Sequence, residues 1–220
     1  MRLCHSLLVA VALSLAVVGA SGCASVRDTS LPKGFSLKGQ SVLVLPDEEH
    51  GTNTSASGPL YSEGDRAKLD KALGDLDLKR IVRGVLPIVV RGMRSTALGT
   101  QLRFRGKKGR YVLFIHLDRV NLVQAVVGAD WYLRVDVDGR LYDRREANVV
   151  WMFRYREVRG SELNGRRLPK LRAEHLVANG ARQIRLALID HLRVVIRQRV
   201  LADLLSNIDE ITPRPKGKTK

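Results

Sequence analysis

The chain is poor in cysteine, in acidic residues and in catalytic signatures. Only Cys4 and Cys23 occur in 220 residues, both near the start, so no disulfide framework can staple the rest of the chain and the fold must rest on its core. Asp and Glu number 22 against 38 Lys and Arg, a formal net charge of +16. The only long apolar run, Leu7 to Gly19, is shorter than the ~20 residues a bilayer-spanning helix needs. No GxSxG elbow, HExxH, CxxC or phosphate-loop spacing appears. The histidines beyond residue 22, His50, His116, His175 and His191, fall in four separate segments. A Ser/His/Asp site assembled in space remains open, so a periplasmic hydrolase stands as a third reading, with His116 or His191 as its base.

What is present begins at the amino terminus. Arg2, the run LLVAVALSLAVVG and the small residues Ala20-Ser21-Gly22 have the layout of a secretory signal. Ala20-Ser21-Gly22-Cys23 resembles the lipobox of bacterial lipoproteins. The resemblance implies a diacylglycerol on the Cys23 sulfur, cleavage before Cys23 and acylation of the new amine, and therefore a membrane partner reached through that lipid. Several acyl methylenes at ~0.8 kcal/mol each make a multiply acylated cysteine a stable anchor. Ala24, where an inner-membrane retention signal would have Asp, favours the periplasmic face of the outer membrane. The rival reading is a secretory signal cleaved without lipid.

In that compartment the basic balance points to lipid phosphates, lipopolysaccharide or peptidoglycan carboxylates, and export takes nucleic acid out of reach. The plain alternative is an arginine-rich composition with solvated basic faces. The 45% apolar share is ordinary for a globular domain.

Along the chain, residues 23–40 read as a lipidated tether interrupted by Pro32, Gly34 and Gly39. SVLVLP (residues 41–46) is the first strand, covered on both faces. Residues 47–61 read as a flexible loop; its Asp47, Glu48, Glu49 and His50 invite a divalent ion, but adjacent residues on a loop seldom converge on one ion, so no metal is expected. Residues 65–98 show helical spacing, a short leading helix and then an amphipathic one from about Leu78, kinked at Pro87. Gln101 to Arg105 is a short strand, and Gly106-Lys107-Lys108-Gly109 reads as a hairpin turn into YVLFIHL (residues 111–117). Arg103, Arg105, Lys107, Lys108 and Arg110 form the densest basic cluster, either a solvated turn guarding a sheet edge or an anion-binding tip.

The clearest pattern is the alternation of Trp131, Leu133, Val135 and Val137, and of Val149, Trp151, Phe153 and Tyr155, around DRREAN (residues 143–148). It predicts an antiparallel hairpin with one buried and one exposed polar face, Asp136 and Asp138 pairing with Arg154 and Arg156 as ionised acids. Residues 174–205 read as one long helix with a weak point at Gly180, its carboxyl end overhanging, and residues 206–220 as a basic disordered tail.

The expected fold is α+β: one domain over residues 41–205, a mostly antiparallel sheet with a kinked amphipathic helix and a long carboxyl-terminal helix packed on it. SVLVLP, the helix after it and GRLYDRREANVVW resemble the periplasmic αβ lipoproteins that include the curli-secretion lipoprotein, the outer-membrane activators of peptidoglycan synthases and the amino-terminal domain of TolB. That resemblance implies non-enzymatic, cofactor-free work: docking on an envelope protein or forming a homo-oligomer through sheet edges and the helix end. The alternative is binding of lipopolysaccharide or anionic lipid by the basic cluster.

Overall fold

The computed structural model describes residues 25–28, 35–58, 63–91, 93, 99–106, 109–124, 131–157, 162–163, 166–167 and 170–211. The lipobox, Lys107, Lys108 and residues 212–220 lie outside them. The strands are β1 (Ser25–Asp28), β2 (Ser41–Pro46), β3 (Asn53–Ser57), β4 (Gln101–Arg103), β5 (Tyr111–Gln124), β6 (Trp131–Asp143), β7 (Asn148–Arg156) and three short ones, β8 (Glu162–Leu163), β9 (Arg166–Arg167) and β10 (Lys170–Leu171). The helices are α1 (Glu63–Gly74), α2 (Leu78–Val90), α3 (Ala173–Val195) and α4 (Ala202–Ile211), the last two joined by a π-helical segment, Ile196–Leu201.

The fold is α+β, but its sheet is mixed, which corrects the mostly antiparallel expectation. The order is β1-β7-β6-β5-β2-β4, with β3 also on β5 and β10 also on β6. β5, β6, β7 and β1 pair antiparallel, whereas β2 runs parallel to both β4 and β5, and β3 parallel to β5. The physical reason lies in the strand itself. SVLVLP is nearly continuously apolar, and a strand joined to its neighbours through a helical crossover is covered on both faces. Val42, Leu43 and Val44 are all buried.

Three further expectations change. β4 and β5 do not form a hairpin, because β2 lies between them. The polar tract after Pro46 is not all loop: Asn53–Ser57 pair with Arg119–Val123, and Ala56 is buried against α1, its N–H donating to Asp70 Oδ1 at 3.1 Å. The tether is shorter than expected. Ser25–Asp28 pair with Tyr155–Met152, and Leu37 is fully buried, its carbonyl accepting from Thr100 Oγ1 at 2.8 Å.

The helices form as their spacing predicts, with altered ends. Asp77 caps α2 by accepting from the Arg80 N–H at 2.9 Å. Leu78, Ile81, Val82, Val85, Leu86, Val89 and Val90 make its buried stripe, and Pro87 sits on the exposed side, where its missing N–H is least costly. The long helix bends at Asn179, next to the glycine that marked the weak point, and helix continues through α4 to Ile211 where a tail was expected.

The helices α2 and α3 and the π segment pack on one sheet face. Leu113, Ile115, Leu133, Val137, Leu141, Trp151 and Tyr155 meet Leu86, Ile184, Leu188, Leu192 and Val200 there. Gly139 admits the π segment, since a Cβ on it would lie 2.6 Å from Val200 Cγ1.

Candidate functional site

The helices leave the second sheet face to side chains of alternate residues: His116 and Asp118 on β5, Asp136, Asp138 and Arg140 on β6, Met152, Arg154 and Arg156 on β7. Their cross-strand partners are His116↔Asp138, Arg119↔Asp136, Asp138↔Arg154 and Asp136↔Arg156. An extra residue, Asp118, bulges β5 between Leu117 and Arg119, and the bulge brings a third carboxylate beside Asp136 and Asp138.

Arg156 is the hub of this face. Its Nη1 donates to Asp138 Oδ1 at 2.7 Å, its Nη2 lies 3.4 Å from Asp118 Oδ2 and its Nε 3.9 Å from Asp136 Oδ2. The Asp138 contact is diagonal, since Asp138 stands directly opposite Arg154. Arg119 Nε stands 3.8 Å from Asp136 Oδ2, and Arg140 Nη2 4.0 Å from Asp138 Oδ2. The acids are not on an exposed face as expected: Asp136 and Asp138 are 8% and 4% exposed. Burial pushes the Asp136 carboxyl above its ordinary range, against the Glu157 N–H and the Arg156 and Arg119 charges. The expectation of two plainly ionised acids overlooked that desolvation. Burial likewise opposes the charge on Arg156, but the Asp138 hydrogen bond and the three carboxylates outweigh it and raise its guanidinium further.

The loop after β2 wraps round the strand end and reaches both faces. Glu48 pairs with Arg83 and accepts from Lys79 on α2, while His50 Nδ1 lies 2.9 Å from Asp47 Oδ2 and its ring stacks edge-on against His116 at 5.4 Å. Burial tends to raise Asp47, but hydrogen bonds from His50 and the Glu49 N–H prevail and lower it. Burial holds His116 below the usual imidazole range, with Asp47, Asp138 and Asp118 opposing and His50 adding to it. Among the described residues no group of three or more His, Cys, Asp or Glu is placed to hold a metal ion. Beside this loop, Leu45, Val112, Phe114, Tyr142 and Val149 floor a groove of about 720 Å³ with Asp47, Glu48 and Glu49 on one rim and Arg140 and Arg144 on another.

A second network lies under the sheet, and sequence reasoning missed it. Glu157 is buried just past β7. Its Oε2 accepts from the Val135 N–H at 2.8 Å, and its Oε1 lies 3.0 Å from Tyr155 Oη and 2.7 Å from His191 Nε2. The available signal was positional: Glu157 follows Tyr155 by two and so continues the buried face of β7. Among the described residues no serine hydroxyl bonds His116 or His191, and the side chain of His175 is outside those residues.

The basic cluster divides. Arg110 is held in a fork on Asp143, Nε to Oδ2 at 2.9 Å and Nη2 to Oδ2 at 2.7 Å, and its guanidinium stands over the Tyr111 ring at 5.1 Å. The hydrogen bonds from Arg110 hold the Asp143 carboxyl below its usual range. Arg103 and Arg105 are exposed, Arg103 donating to Gln101 Oε1 at 2.8 Å. The main-chain bond from Arg144 N–H to the Arg110 carbonyl, 2.9 Å, brings the exposed Arg144 and Arg145 to the same end of the sheet.

The sequence matches no protein-family profile and no curated protein. Several solved structures are similar in chain trace, three of which follow. The PelC dodecamer from Paraburkholderia phytofirmans is 16% identical, over 61% of this chain and 80% of that one, with a TM-score of 0.32. A Xanthomonas campestris protein of the DUF330 family is 13% identical over 88% and 100%, TM-score 0.32. A neuraminyllactose-binding hemagglutinin homolog from Helicobacter pylori is 9% identical over 83% and 96%, TM-score 0.24. These scores are low, and none of the three assigns a function to this chain.

Proposed function

We propose that the chain is a lipoprotein, anchored through Cys23 to the periplasmic face of the outer membrane, that works without catalysis by docking a protein partner on the second face of its sheet. The observation that carries the docking is the groove beside the β2–β3 loop. Its apolar floor, Leu45, Val112, Phe114 and the half-exposed Val149, is framed by fixed charges of both signs. Such a surface offers a partner apolar burial at the centre and a polar rim. The charged groups of the face support the non-enzymatic reading, because Arg156 ties Asp118, Asp136 and Asp138 to itself.

A crosslinked pull-down of the lipidated chain from its native envelope tests this, with Cys23→Ser and Phe114→Glu as controls and wash salt varied. A defined protein, or a second copy of the chain, recovered through high salt and lost in Phe114→Glu is the expected result, since an apolar interface resists screening. Lipopolysaccharide or phospholipid alone, released by salt, would replace the reading with anionic-lipid binding, which has the exposed Arg103 and Arg105 in its favour.

A further inference from the structure

The register of β1 gives the anchored domain a direction. Ser25 pairs with Tyr155 and Asp28 with Met152, so the chain enters at the Arg156 end of the sheet and runs toward the Asn148 end. Only Ala24 separates Cys23 from β1, at most ~7 Å of chain. Arg103, Arg105, Arg144 and Arg145 stand at the opposite end. There Tyr111 faces Asp143, Val42 faces Tyr111, and the β6–β7 turn closes. From Tyr155 to Asn148 along β7 is ~20 Å at 3.3 Å per residue.

We propose that this arginine-bearing end is a docking surface for a carboxylate-bearing wall polymer standing off the membrane, not for the head groups of the leaflet that holds the lipid. The inference rests on the anchor at Cys23 proposed above. With so short a link the tethered end stays at the membrane, and strands standing along the membrane normal carry the far end ~20 Å from it. Screening over ~8 Å at physiological ionic strength leaves head groups ~20 Å away with little hold on it. The arginines are also spread, not focused. β4 and β6 are separated by β2 and β5, so their charges span about 15 Å at 4.8 Å per strand, which matches repeated carboxylates better than one small anion. Arginine forks fit carboxylates bidentately. Asp143 is taken by Arg110, which leaves Glu146 as the exposed acid beside them, 4.0 Å from Arg145.

The test uses the mature lipidated chain in phosphatidylcholine vesicles, mixed with purified peptidoglycan sacculi and sedimented. Vesicles should co-sediment with sacculi at low salt. Release should be steep with added salt. The fourfold variant Arg103→Glu, Arg105→Glu, Arg144→Glu, Arg145→Glu should lower the bound fraction at least tenfold while its circular dichroism stays unchanged. Arg110 is left intact because it supports the fold. Binding that survives the fourfold change, or no binding of sacculi by the parent chain, overturns the proposal. So does an arginine-dependent preference for empty phosphatidylglycerol vesicles over sacculi, which would make the partner a membrane. Mass spectrometry of Cys23 and a parallel assay of the soluble Cys23→Ser chain separate the two readings. Arginine-dependent binding by the soluble chain supports the surface even if Cys23 proves unacylated, and then the anchor alone falls.

Discussion

Gly139→Ala should destabilise the domain although its backbone conformation suits alanine. Gly139 lies in the middle of β6 where the π segment crosses the sheet. An added Cβ would stand 2.6 Å from Val200 Cγ1, 3.2 Å from Trp151 Cζ3 and 3.5 Å from Trp151 Cη2. Neither neighbour has room to yield. Val200 is fully buried and β-branched, and Trp151 is 2% exposed with its ring stacked 5.9 Å from Phe153. Forcing a methyl into a packed core costs about 1–3 kcal/mol. The stiffer unfolded chain returns roughly 0.4–1 kcal/mol. A net loss of about 1–2 kcal/mol corresponds to a fall of about 2–8 °C in Tm for a domain this size. Urea unfolding followed by circular dichroism measures it. Val200→Ala alone should cost about 2 kcal/mol through its cavity, but in the Gly139→Ala background much of that cost should vanish, a coupling near 1 kcal/mol. Equal midpoints for parent and Gly139→Ala, or strictly additive losses in the double variant, would refute the crossing of the π segment over this glycine.

Arg110→Ala should destabilise the domain at neutral pH, because it leaves the Asp143 carboxylate, 2% exposed, without its fork. Asp143 is depressed in the fold, so this contribution is present above the unfolded carboxyl value near 3.9 and lost as pH falls through the folded one; the stability gap between parent and variant should close in acid. His116 acts in the same direction at a higher pH: burial lowers it, the unfolded chain binds the proton more readily, and stability should fall as pH drops through the ordinary value of 6.5. His116→Gln should flatten the dependence of Tm on pH between about 7.5 and 5.5, and an unchanged slope would count against burial of that ring. Glu157→Ala should cost about 3–5 kcal/mol, since it strands the Val135 N–H, the Tyr155 hydroxyl and the His191 ring in the core, and a loss under 1 kcal/mol in urea unfolding would contradict that network.

How much of the fold was legible depended on the range of the interaction. The β6–β7 hairpin and the short leading helix followed by an amphipathic one from Leu78 follow from local periodicity, and both stand where alternation and helical spacing put them, although the second helix runs unbroken through Pro87. Pairing at a distance did not. Asn53–Ser57 is polar and small, the composition of a loop, and becomes a strand only because the edge of β5 beyond β2 offers its main chain to pair with. β2 and β5 carried the signal of a parallel pair, continuous apolar runs joined through helices, but the Gly106-Lys107-Lys108-Gly109 turn looked more local and drew β4 to β5 instead.

The candidate site shows the same limit in its electrostatics. Parity along the strands placed Asp136, Asp138, Arg154 and Arg156 on one face correctly, but did not bring His116 to them. It did not say that His116, Asp136 and Asp138 are buried while Arg154 beside them stays exposed, because residues of other segments arrive there: Asp47 and His50 over the end of β2, and Asp118 displaced into the face by the bulge. Desolvation therefore changes the chemistry of groups whose neighbours were already known. Asp136 is raised although two arginines stand within 4 Å of it, at 3.8 and 3.9 Å, since burial outweighs both. Replacing Asp136 with Asn should then cost less than replacing Asp138, because Asn keeps an acceptor for the Glu157 N–H, whereas Asp138→Asn removes the charge from the 2.7 Å contact that seats Arg156. Thermal melts of the two variants at neutral pH rank them. An Asp136→Asn variant weaker than Asp138→Asn would mean that the arginines, not burial, govern this face.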